Sequence, residues 1–116
     1  MLNYTTVQGP GIMLGSVGSW NSMQIELIRE AINRNQYKVT DHADEEAAAD
    51  NLTLDEIVKS VMTGEIIEDY PDDFPYPSCL IFGQNKNNDA IHSVWAYNDP
   101  SQWAVLITVY RPDSEL

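Results

Sequence analysis

The chain has 116 residues, 43% of them hydrophobic, enough for one domain with a modest core and too few for two. Its 18 Asp and Glu stand against six Lys and Arg, a formal charge of -12, so its overall field repels polyanions: no DNA contact is expected and RNA binding is disfavoured. No stretch approaches the roughly 20 apolar residues of a membrane span, and the single cysteine, Cys79, excludes an internal disulfide.

Met1 to Ser22 carries no charged residue and is broken by Gly9, Gly11, Gly15 and Gly18, too often for a regular element. It lacks the basic start and unbroken apolar centre of an export signal, so a cytoplasmic protein is expected. Residues 1–22 read as a disordered extension or a start codon placed too early, and residues 23–116 as a single domain. From Met23 to Asn35, Ile25, Ile28 and Ile32, with Leu27 and Ala31 beside them, recur at helical spacing, and Asn35 is the stop.

Tyr37 to Thr40 reads as a short extended link. Thr40 or Asp41 then caps a second helix running toward Asp50, with Ala43 and Ala47 or Ala48 as its thin buried stripe. In the third helix, Thr53 and Glu56 have capping-box spacing, and Leu52 with Ile57 forms a hydrophobic staple. Leu54, Ile57, Val58, Val61 and Met62 make one apolar stripe, and Gly64 is expected as a left-handed exit residue.

After Gly64 the period becomes extended. Glu65 to Tyr70 reads as a strand with Ile66, Glu68 and Tyr70 on one side. It stops at PDDFPYP, whose three prolines place that segment in a loop at a sheet end. Strands over Ser78 to Gly83, Ile91 to Tyr97 and Trp103 to Arg111 follow, joined by polar turns at Asn85 to Asp89 and Asn98 to Gln102. The nearly continuous apolar run AVLITV suggests a strand covered on both faces. Cys79, inside CLIF, reads as a small buried hydrophobe. The expected fold is α+β, with the N-terminal helices packed on one face of a roughly four-stranded antiparallel meander.

Several blocks carry a resemblance: YKVTDHA at Tyr37 to Ala43, GEIIEDYPDDFPYPSCLIFG ending at Gly83, IHSVWAY at Ile91 to Tyr97, and WAVLITVYRPD from Trp103. Together they resemble the bacterial family named domain of unknown function 4258. The order of helices and strands is similar to RelE-type RNA-cleaving toxins. The resemblance implies a toxin-like component of a toxin–antitoxin pair, with an antitoxin protein as partner and catalysis weakened or lost. A reading of another class is a non-catalytic acidic module that binds a basic protein through its acidic surface and the PDDFPYP loop.

Three residues are candidates for metal-independent RNA cleavage. His42, in the first turn of the second helix, suits a general base on a ribose 2′-hydroxyl; its alternative is to hydrogen-bond a backbone carbonyl and fix the helix start. His92 in the third strand would complete an acid and base pair if the two histidines met, although a histidine inside a sheet is more commonly structural. Arg111 could steady a phosphate. Tyr70, Tyr97 and Tyr110 suit base stacking or the edge of a core. The resemblance also marks a departure: Glu46 and Asp50 stand where the family usually has arginine, which implies poor RNA binding if those arginines hold RNA.

The acids Asp41, Asp44, Glu45 and Glu46 point in different directions on a helix and lack calcium-loop spacing. Phosphate-binding glycine loops, nucleophile elbows and zinc spacings are absent. No metal and no cofactor are expected.

Overall fold

The computed structural model describes residues 23–112; the extension expected over residues 1–22 lies outside them. The elements run α1 (Ile25–Asn33), β1 (Tyr37–Val39), α2 (Asp41–Ala49), α3 (Leu54–Thr63), β2 (Glu65–Tyr70), β3 (Ser78–Gln84), β4 (Ala90–Asn98) and β5 (Trp103–Tyr110). No helix among the described residues is long and apolar enough to cross a membrane.

The fold is α+β, and its sheet differs from the expected meander. Five strands lie in the order β1-β5-β4-β3-β2. Strands β2 to β5 are antiparallel neighbours, while β1 adds to β5 in parallel, Tyr37 opposite Ala104 and Val39 opposite Leu106. The segment read as a link is thus a fifth strand. Three residues are too few for alternation to be legible, and their partner lies far along the chain.

Trp95 sits fully buried at the centre of the sheet, its indole N–H donating to Ser93 Oγ at 3.0 Å and its ring 6.2 Å from that of Tyr37. Around it pack Ile28 and Ala31 from α1, Ala43 and Ala47 from α2, and Ile57 and Val61 from α3. The helices meet the sheet residues Cys79, Ile81, Ile91, Trp95, Leu106 and Val109, all without exposure. Strand β5 is not covered on both faces: Ala104, Leu106 and Val109 are buried, whereas Val105, Ile107, Thr108 and Tyr110 are half-buried.

Helix ends follow local chemistry. Thr40 caps α2, its Oγ1 accepting from Ala43 N–H at 3.1 Å. The Thr53 and Glu56 capping box closes α3, and Leu52 and Ile57 are both buried. Asn35 stops α1 in the left-handed region, at φ 59°. Gly64 does not take that conformation, since its φ is -92°. A side chain there would instead overlap the Ser60 and Phe82 carbonyls, and one at Gly83 would overlap Ser60. The two glycines let α3 lie against β3, which explains the complete burial of Ser60, whose hydroxyl donates to the Ile57 carbonyl at 2.6 Å. Leu54, placed in the buried stripe by spacing, is 45% exposed at the first turn.

Arg29 of α1 donates to the carbonyls of Val61 (3.0 Å) and Gly64 (2.8 Å), so a cation sits at the negative end of α3 and ties the two helices together.

Replacing Thr53 by Ala removes the α3 cap and is expected to lower stability by about 0.5 to 2 kcal/mol. Denaturant titration reads this as a lower midpoint at unchanged slope; an unchanged midpoint contradicts the cap's role.

Candidate functional site

Strand β1 ends at Val39 and covers β5 only as far as Leu106, so the rest of that edge needs other partners for its backbone N–H groups. Helix α2 supplies them. Glu46 Oε1 accepts from Val109 N–H at 3.1 Å and from Thr108 Oγ1 at 2.8 Å, and Asp50 Oδ2 accepts from Arg111 N–H at 2.9 Å. Four residues of helix advance about 6 Å, and two residues of strand about 6.6 Å. Carboxylates at i and i+4 of α2 therefore match successive edge donors at j and j+2 of β5. The β-bulge between β4 and β5, where Val94 faces Thr108 but Trp95 faces Leu106, brings Val109 and Arg111 into this phase.

Arg111 is absorbed in the same corner. Its Nε donates to the Asp50 carbonyl at 2.8 Å, a terminal nitrogen donates to the Asn51 carbonyl at 3.3 Å, and the other lies 3.6 Å from Asp89 Oδ2. It caps the C-terminus of α2, so the expected phosphate-steadying cation is committed to the fold. Asn85, read as an ordinary turn residue, is buried. Its amide bridges Asp89 and Glu56 while its carbonyl oxygen accepts from Asn87 and Asp89 N–H. The hydrogen bond from Thr53 N–H is the main cause that holds the Glu56 carboxyl below its usual range; burial opposes it, and the bonds to Asn85 and the Thr53 hydroxyl and the nearby Arg111 charge add to the lowering.

His42 projects from α2 with its side chain 66% exposed and Nε2 3.3 Å from Glu46 Oε2. His92 lies on β4, its Nδ1 3.2 Å from the Tyr110 hydroxyl. The two histidines have separate partners, His42 on Glu46 and His92 on Tyr110, and among the described residues no hydrogen bond joins them. His92 stands on the opposite face from the buried Ile91 and Trp95, as strand alternation dictates, but alternation carries no information on the distance to His42.

Around His92 the sheet face away from the helices carries a cluster that spacing did not reveal. The His92 ring stands edge-on between Phe82 (centroids 6.0 Å apart) and Tyr110 (5.3 Å). Across the sheet the register aligns Glu65, Phe82, His92 and Tyr110 in one row, and Glu68, Leu80, Val94 and Thr108 in the next. A bulge at Ile67 puts Glu65 and Glu68 on this one face despite their odd separation. It also turns Ile66, assigned by simple alternation to the side of Glu68, against the core. The Tyr70 hydroxyl donates to the Glu68 carboxylate, and this bond is the main cause that pushes the phenol up to about 12. Partial burial pulls His92 below its usual value, favouring the uncharged imidazole, with Glu68 opposing. The legible signal was modest: Glu68 and Tyr70 at strand spacing, and Tyr110 two residues before Pro112.

Comparison with known proteins adds one match: the family described as a domain of unknown function, DUF4258, covers residues 39–111, more than half of the chain. The chain belongs to the DUF4258 family. No curated protein and no solved structure matches it. The DUF4258 span begins at the last residue of β1 and ends at Arg111. It includes α2 with its edge carboxylates and every residue of the sheet-face cluster, while α1 lies outside it. Among the described residues, no group of three or more His, Cys, Asp or Glu side chains is placed to hold a metal.

Because Glu46 and Asp50 complete the edge of β5, the double substitution Glu46→Arg with Asp50→Arg is expected to destabilise the fold. Each lost acceptor costs on the order of 1 kcal/mol, water meeting part of the need of these part-buried donors. A thermal melt should show a lowered midpoint; an unchanged one would return both acids to the status of surface residues.

Proposed function

We propose that this DUF4258 chain works by binding a basic protein partner on the sheet face that its helices leave uncovered. The observation that carries the reading is the composition of that face. Tyr70, Phe82, His92 and Tyr110 present ring surface, and Glu65 and Glu68 present carboxylates. Among the described residues the cation on this face is Lys38, opposite Val105 at the far edge, with its ammonium 5.5 Å from the Trp103 ring centroid. With a formal charge of -12 overall, such a surface attracts cationic partners and repels a phosphate backbone. In the toxin–antitoxin setting suggested by the resemblance to RelE-type toxins, the partner would be the antitoxin. Catalysis in this chain would be weakened or lost, since Arg111 and the acids at positions 46 and 50 are engaged in holding the fold.

A second reading rests on one contact. His92 beside the Tyr110 hydroxyl, 3.2 Å from Nδ1, has the elements of a proton-transfer pair, which would make the same face a metal-independent ribonuclease site.

Titration with a mixed Lys and Arg peptide, followed by amide chemical shifts, tests the first reading. Shifts are expected on β2 to β5 at Glu68, Phe82, His92 and Tyr110, weakening as salt rises. Shifts confined to the Asp41–Glu45 turn of α2, or no binding, would overturn it. RNA cleavage that disappears on His92→Ala in a protein of unchanged melting temperature would establish the second reading in its place.

A further inference from the structure

Resting on that binding reading, we infer that the sheet face selects arginine over lysine, so that the partner segment it takes is arginine-bearing. A guanidinium is planar, weakly hydrated and forked, and it can lie flat on a ring while donating two N–H groups to one carboxylate; an ammonium is compact and strongly hydrated. The face offers both halves of such a site in register. Glu65 lies opposite Phe82 on the neighbouring strand, and Glu68 opposite Leu80, one step along. The bulge at Ile67 is the device that places the two carboxylates on the same side as that ring.

The Glu68 carboxylate is oriented by the Tyr70 hydroxyl, and no lysine or arginine among the described residues forms an ion pair with Glu65 or Glu68. Phe82, His92 and Tyr110 brace one another through edge-on contacts. Half-buried rings held in this way lose little freedom when a partner covers them, which favours stacking over a simple charge contact. The chain's own Lys38 over Trp103 occupies the opposite corner of the same face.

The test compares two peptides of equal length and charge, one carrying arginine and the other lysine in a Gly and Ser background, by calorimetry and by amide shifts on the full chain. The arginine peptide is expected to bind about tenfold more tightly, the scale of a partly desolvated ring contact. That preference should fall toward parity in Phe82→Leu and in Glu68→Gln, each checked for an unchanged melting temperature. If a variant melts early, competition of the arginine peptide by free guanidinium against ammonium in the native chain reads the same preference. Equal binding of both peptides on the face would overturn the arginine inference and leave the basic-partner reading standing. Binding of neither would overturn both, and an arginine preference that survives both variants would place the selectivity elsewhere.

Discussion

Strand β5 is paired along its whole length on one side and only to Leu106 on the other, and the molecule resolves this mismatch with two side chains. Glu46 and Asp50 accept from the N–H groups of Val109 and Arg111, standing where further residues of β1 would otherwise stand. An unmet backbone donor at a part-buried edge is costly, and an open edge also invites pairing with another chain. Tyr110 lies between the two anchored amides. The carboxylates of α2 therefore fix the end of the strand that sets Tyr110 beside His92, and the sheet-face cluster depends on a helix lying outside the sheet.

The same accounting divides a strongly acidic chain into charges engaged by the fold and charges left for a partner. Glu46, Asp50, Glu56, Asp69, Asp73 and Asp89 accept hydrogen bonds from backbone or side-chain donors. Arg29 and Arg111 are taken up at the C-termini of α3 and α2. Glu65 and Glu68 stand on the uncovered sheet face beside rings, Glu68 held by the Tyr70 hydroxyl, and neither forms an ion pair with a lysine or arginine among the described residues. A net charge describes only the far field; which carboxylates remain available near a site follows from this pairing.

What the sequence made legible was local. The capping box at Thr53 and Glu56, a cap at Thr40 or Asp41 that proves to be Thr40, the stop at Asn35 and the alanine stripe of α2 each involve residues within a few positions, where spacing is geometry. The pairing of β1 with β5, the meeting of α2 acids with strand amides and the stack of Phe82, His92 and Tyr110 join residues separated by long stretches of chain. Periodicity also misled wherever a bulge intervened. At Ile67 it assigned Ile66 to the wrong side, and at the β4–β5 irregularity nothing in AVLITV announces the change of phase. Gly64 was expected to turn the chain in the left-handed region, and its φ of -92° contradicts that; what requires a glycine there is close approach to β3.

Amide hydrogen exchange of Val109 and Arg111 tests the central claim most directly, with Ala104, whose N–H donates to the Gln36 carbonyl at 3.1 Å, as the internal standard. The carboxylate account predicts that Val109 and Arg111 exchange slowly in the native chain, and that Glu46→Ala removes protection at Val109 while Ala104 keeps its own. Exchange of Val109 and Arg111 at free-peptide rates in the native protein would contradict it.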